Sequence, residues 1–274
     1  MLRLLPFTLR VELRRLARLP AWLIETPCIA RRRALVEMLG ESRVLLAEHR
    51  SPLRRFSAAA DRLQLGKERN VAVAARRLDG LLIEPHQVLS YHRAVGRPSR
   101  LRGFRTGLEL HDGQVGAGVG GGCCQVSNLL YLLALHSGMK VIERHRHGLD
   151  LFADHQRSVP FGCGATVFYN YRDMRFENPL SHPVLLGLRV ERGELVGQLW
   201  SAAAVDWRVE VHEVGHRFFR RGEQWWRENR IRRRFLALDD GSLLHDEEVA
   251  HNLARVCYEP EAQPTAAASE REAA

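Results

Sequence analysis

The sequence predicts an α+β fold: a helical N-terminal part, followed by a central buried helix packed on an antiparallel sheet. Three observations lead there. Apolar residues recur at helical spacing through the first 84 residues. The run from Leu129 to Leu135 is apolar around the whole helix circumference, as in a helix enclosed on all sides. From about residue 85, glycine becomes frequent and short β-like runs appear between turn signals. The 274 residues, 45% hydrophobic and 27% charged, suffice to bury a sizeable core.

The opening stretch MLRLLPFTLRVELRRLARLPAW has an apolar run only from Leu4 to Leu9, broken afterwards by Arg10, Arg14, Arg15 and Arg18. It reads as a basic amphipathic helix rather than a signal peptide or membrane span. Such a helix packs on its own domain or lies on an anionic membrane surface. ARRRALVEMLGESRVLLAEHR, with Leu35, Met38, Leu39, Leu45 and Leu46, predicts a second helix. RNVAVAARRLDGLLIE predicts a third, ending before Pro85. Residues 1–84 then form a helical region.

Residues 85–260 form the α+β part. QVLSY, LEL and QVGAGV read as short strands, CQVSNLLYLLALHS (124–137) as the buried helix, and Gly138 as its C-terminal cap. MKVIERH is the next strand. TVFYNYRDMRFEN alternates at period two, as a strand or tight hairpin stopped by Asn178-Pro179. VLLGLRVERGELVGQLW is a hairpin around Arg192-Gly193, VDWRVEVHEVGHRFF continues the strands, and the charged segment after it turns at Asp240-Gly241. The tail, residues 261–274, is expected to be disordered. No internal repeat is present.

The net charge is +9, and only Lys67 and Lys140 are lysines. An arginine-biased composition explains most of this; an anionic partner such as lipid or cell-wall polymer would also suit it. No zinc-finger, RNP-like or basic-zipper pattern supports specific nucleic-acid binding. Five cysteines, two of them adjacent, do not make a disulfide framework and favour a reducing compartment. The expected location is cytoplasmic, with peripheral membrane contact through the basic N-terminus.

Chemistry concentrates at Cys124. A cysteine opening a buried helix behind a Gly-rich loop has its thiolate favoured by the helix N-terminus. The loop glycines let backbone N–H groups approach a substrate carbonyl or an anion. With His147 as base and Asp173 as orienting carboxylate, the chain order is that of transglutaminase-like and papain-like cysteine enzymes. Asp150 is the second choice of orienter. Free cysteine is also a common packing residue, and Cys123 reads as one. Cys123, Cys124, His145, His147 and Cys163 lack metal-site spacing, so no metal or other cofactor is expected.

The segment from Val115 to Phe176, with VLSYHRAVGRPSRLRGFRTGLEL upstream, resembles the VanW family, named for an accessory protein of B-type vancomycin-resistance gene clusters. The resemblance extends through QWWRENRIRRRF and the closing hairpin, so that residues 85–260 read as a VanW-like domain. The family pattern Gly-Gly-Gly-x-Cys-Gln-x-Ser falls on Gly120, Gly121, Gly122, Cys124, Gln125 and Ser127, which selects Cys124 over Cys123. Glu-Arg-x-x-His falls on Glu143, Arg144 and His147, which selects His147 over His145. The Gly-Ala-Thr-Val segment falls on Gly164–Val167, and Asp-x-Arg-Phe on Asp173–Phe176. The serine that often follows the family's histidine is Gly148 here. The resemblance implies a link to glycopeptide resistance and the cell envelope, with no assigned biochemical activity. Two readings stay open: cysteine-dependent acyl transfer or amide hydrolysis on a peptide or cell-wall precursor, and a non-enzymatic accessory protein. The latter would hold a peptide or anionic ligand through the Gly-rich loop.

Overall fold

The computed structural model describes residues 6–54, 61–111, 114–146, 148–151, 153–154 and 161–260. It is a mixed α and β fold in which several small sheets surround one central helix. No helix among the described residues is long and apolar enough to cross a membrane.

The N-terminal helices are α1 (Phe7–Ala17) and α2 (Leu19–Glu25). The second expected helix does not form. Val36–Leu39 is a single 3₁₀ turn ended by Gly40 at φ +89°, and the chain then enters strand β1 (Val44–Pro52). Within that strand Ala47 and Ser51 are buried while Glu48 and Arg50 face out. Its buried positions are small or polar, so the leucines at its start and before it mimic a helical face. Pairing along a neighbouring strand then decided the outcome.

The third expected helix is real but begins and ends earlier: α3 (Asp61–Leu78). Gly80, at φ +74°, follows it, and Leu81–Ile83 forms a fully buried strand, β2. A continuous apolar run of this kind does not distinguish buried strand from buried helix. Strands β9 (Val184–Glu191) and β10 (Glu194–Ser201) form the expected hairpin. Arg192 and Gly193 both have positive φ, as a two-residue hairpin loop requires. The first sheet runs β1-β10-β9-β2, all antiparallel, so segments from residues 44–83 flank a hairpin from 184–201.

Strand β3 (Val88–Ser90) leads into the short helix α4 (Tyr91–Val95), and β4 (Thr106–His111) pairs with β5 (Gln114–Val119). Helix α5 (Cys124–His136) follows, matching the expected central helix. Next come β6 (Lys140–Glu143), β7 (Leu149–Asp150) and β8 (Arg175–Glu177), with β3-β8-β6 forming a small sheet. Residues 166–178 divide into a tight turn bridged by Phe168 and Arg172, then β8. Strands β11 (Trp207–Arg221), β12 (Gln224–Ala237) and β13 (Leu243–Val256) build a long antiparallel arm, which β7 joins in parallel at β13.

Helix α5 packs against β1, β6, β10, β11 and α3. Leu129, Leu130, Leu133 and Leu135 are almost wholly buried, each stabilising the fold by roughly 1.5–3 kcal/mol through removal from water. Gly197 on β10 sets how close the helix can come: a Cβ there would lie 2.7 Å from Leu129 Cδ2 and 2.8 Å from Leu133 Cδ1. At the other end, Arg233 of β12 donates to the carbonyls of Ala134, Leu135 and Met139 at 3.2, 3.4 and 2.9 Å. A buried cation thereby satisfies carbonyls that a helix C-terminus leaves open.

Candidate functional site

The glycines before α5 are packing surfaces. Gly121 abuts the Gly107 carbonyl, and a Cβ on Gly107 would meet Gly121 O at 2.7 Å and Lys67 N at 2.9 Å. Gly66 of α3 is pressed on Thr106 O in the same way, and Gly122 on the Lys67 side chain. Buried Asn70 fastens the junction, donating to Arg105 O and Gly121 O at 2.9 Å each and accepting Arg105 N–H at 2.7 Å. Gly120 N–H donates to Arg105 O and Gly121 N–H to Gly118 O. These amides are therefore engaged within the protein.

The loop delivers Cys124 as the first residue of α5. All five cysteines are free thiols: Cys28 and Cys257 exposed, Cys123 and Cys163 buried, Cys124 half-buried. Burial pushes the Cys123 thiol up to about 12, despite the Tyr91 hydroxyl beside it, and the Cys163 thiol up to about 11, despite the Arg144 guanidinium. The Cys124 Sγ lies 3.6 Å from Thr166 Oγ1. Below the thiol, Ser127 Oγ donates to Ala165 O at 2.7 Å and Asn128 Oδ1 accepts Ala165 N–H at 2.7 Å. One turn of α5 thus clamps the Gly164–Val167 segment and fixes Thr166 against the cysteine. Gln125 faces β1, donating to Ser51 Oγ and Pro52 O at 2.8 Å each.

Arg144 and Glu143 brace the same segment. Arg144 donates to Gly164 O at 2.8 Å, Gly162 O at 2.7 Å and Asn252 Oδ1 at 3.0 Å, and stacks over Tyr131. Thr166 N–H donates to His145 O at 2.7 Å. The His145 ring meets Glu143 Oε1 at 2.8 Å, and that oxygen also accepts Asp173 N–H at 3.0 Å. Arg18 of α2's N-terminal cap pairs with Glu143 Oε2. Burial works to raise the Glu143 pKa, but the hydrogen bonds from Arg18, Asp173 N–H and His145 outweigh it and hold the carboxyl below its usual range.

Asp173 is buried, and its carboxylate accepts from Ser90 Oγ at 2.5 Å, His92 N–H at 3.0 Å and Met174 N–H at 2.8 Å. Apart from its neighbour Met174, its described partners lie at the start of α4. His147 lies outside the described residues, so the Cys124–His147–Asp173 arrangement is not seen as a unit. Asp150 belongs elsewhere, in a cluster where Arg227 makes a two-pronged pair with Asp154 at 2.8 Å and reaches Asp150 at 3.4 Å. Among the described residues no three His, Cys, Asp or Glu side chains are placed to hold a metal.

Sequence reasoning missed Thr166, Asn128, Tyr91 and the His145–Glu143 pair. The Tyr91 hydroxyl is fully buried without a hydrogen bond of good geometry, and burial lifts its pKa well above the ordinary phenol value. A tyrosine at the end of a short strand gives no such signal. Thr166 could have been singled out, because it sits in the Gly-Ala-Thr-Val motif.

The family model described as VanW like protein matches residues 66–200, the stretch that holds most of α3, the glycine junction, α5 and the Glu143–Thr166 brace. The chain is 24% identical over 195 residues to the vancomycin B-type resistance protein VanW of Enterococcus faecalis, covering 71% of each chain. It is 28% identical over 146 residues to the uncharacterized protein YoaR of Bacillus subtilis, covering 52% of this chain and 46% of that one. The chain thus spans less than half the length of YoaR. No solved structure matches it significantly, so a transglutaminase-like or papain-like core has no support from structural neighbours. The matched motifs converge on the first turn of α5, and the chain belongs to the VanW family.

Proposed function

We propose that Cys124 is the reactive centre of this VanW domain, and that it takes an acyl group from a peptide or amide carbonyl in cell-envelope material. The supporting observation is the contrast among neighbouring thiols. Burial keeps Cys123 and Cys163 protonated, whereas Cys124 is half-exposed, opens a 13-residue helix and faces a hydroxyl. In the first step the Cys124 sulfur attacks the carbonyl carbon, the C–N bond breaks, and the proton given up by the thiol ends on the leaving amine. Water or a second amine then releases the acyl group. His145, held by Glu143, and His147 are the two imidazoles offered for proton transfer. The envelope setting rests on the likeness to VanW.

The non-enzymatic reading draws on a different observation. The Asp173 carboxylate and the Gly120 and Gly121 amides are already engaged within the protein. An accessory protein needs no free groups of that kind. Incubating the full chain with p-nitrophenyl acetate and mapping adducts by mass spectrometry separates the two. The enzymatic reading expects a thioester on Cys124, lost in Cys124→Ser and slowed in His145→Ala or His147→Ala. Acetylation confined to exposed Cys28 and Cys257 would overturn it in favour of the accessory role.

A further inference from the structure

The N-terminal helices lie on the domain with their polarity reversed. Positions 11, 15, 18, 22 and 25, spaced by four and three residues, face inward. Of these only Val11 is aliphatic. Arg15 donates to Tyr169 O at 2.9 Å and stacks over Phe168, and Arg18 pairs with Glu143. Trp22 meets Tyr169 edge-on beneath the Arg93 guanidinium, and Glu25 pairs with Arg175 at 3.0 Å. The opposite side carries the leucines. Leu9, Leu13 and Leu16 follow helical spacing and are 40–58% exposed, while Leu23 and Ile24 are 77% and 79% exposed.

An amphipathic helix docked only on its own domain turns its apolar stripe inward. Here charged and aromatic anchors hold the helices in place and leave that stripe to solvent. We propose that α1 and α2 form a membrane-docking face that seats Leu9, Leu13, Leu16, Leu23 and Ile24 at the surface of an anionic bilayer. Charge selects this occupant. Residues 6–40 contain seven arginines against three glutamates. Among the described residues Arg14, Arg31 and Arg33 pair with no carboxylate, and all three are exposed. Apolar side chains flanked by unneutralised arginine suit an interface of acyl chains beneath acidic headgroups. A second copy of the same helix would instead bring like charges together. The helices lie in the interfacial plane, since neither is long enough to span.

Flotation of the full chain with phosphatidylglycerol–phosphatidylcholine vesicles, and with pure phosphatidylcholine vesicles, tests this. The expected result is binding to the anionic vesicles only, weakened by salt, and reduced roughly tenfold or more in Leu23→Asp/Ile24→Asp. Both residues are largely exposed, so unchanged circular dichroism and Tm in the variant confirm that folding is intact. No flotation with either vesicle, or flotation indifferent to the variant, would overturn the proposal. So would concentration-dependent dimerisation in sedimentation analysis that the variant abolishes, which would mean that a second copy covers the face.

Discussion

The α5 junction and the β11–β13 arm are built on opposite principles. Around α5, neutral surfaces meet at backbone distance: glycine on glycine, Gly197 under two leucines, Asn70 sealing the seam. Along the arm, charged side chains answer each other across strands. Arg232 and Arg234 share Asp246, Arg217 pairs with Glu228, and Arg220 and Arg221 lie over Trp225 and Trp226. The first arrangement tolerates no added atom, whereas the second consists of contacts that water and salt compete with. The matched family region holds the first and ends before the second. The proposed reactive thiol, Cys124, therefore sits in the part of the molecule with least freedom to rearrange.

Substitutions should expose that difference. Gly121→Ala drives a methyl group into the Gly107 carbonyl, backbone against backbone. It should cost about 3 kcal/mol or more, read as a fall in the denaturation midpoint. A loss below about 1 kcal/mol would mean that the junction can open. Arg233→Ala removes the link between arm and helix, uncapping α5 and leaving Glu247 without its partner. Because Glu247 is partly exposed, the loss should be about 2 kcal/mol rather than that of a wholly buried pair. If Arg233→Ala is neutral, the arm does not support α5.

Acid should act through the core as well. His136, near the C-terminal end of α5, packs edge-on against His49 of β1 with ring centroids 4.6 Å apart. Burial, followed by the His49 charge, pushes its pKa down to about 4. Unfolding restores the ordinary value near 6.5, so between those pH values the unfolded chain binds more protons. The stability His136 contributes is present above about pH 6.5 and is lost as pH falls towards 4. Allowing for partial exposure, the loss is about 1–2 kcal/mol. Tm measured from pH 7.5 to 4.5 checks this, and His136→Gln should flatten the lower part of the profile. An unchanged slope would place the acid sensitivity elsewhere. The smallest effect belongs to the arm: Arg234→Ala should shift stability by no more than about 0.5 kcal/mol at ordinary salt, because Arg232 still holds Asp246. A larger shift would make the ion pairs a cooperative network.

The same contrast governs what the sequence reveals. The apolar helix at 124–136 and the Arg192-Gly193 hairpin were legible because periodicity and turn chemistry are local signals. β1 was not, since its inward residues are Ala47 and Ser51 and its fate depends on pairing with β10, some 150 residues away. At the site, the family motifs point to Cys124, Glu143 and Arg144. What those residues touch follows from long-range packing: Thr166 at the thiol, Asn70 in the glycine seam, Arg18 on Glu143. The glycines illustrate the limit. A ligand cradle and a packing junction call for the same residue type, and only the filled space behind Gly121 tells them apart.

The claim that this rigid core presents one reactive thiol is tested most directly by iodoacetamide alkylation of the native chain, with the rate at each cysteine followed by mass spectrometry from pH 6 to 10. The account predicts that Cys124 is modified fastest at neutral pH, ahead of exposed Cys28 and Cys257, and that Cys123 and Cys163 stay unmodified until the protein unfolds. A Cys124 that reacts no faster than Cys123, or that reacts only on unfolding, would contradict it and leave a packing residue at the head of α5.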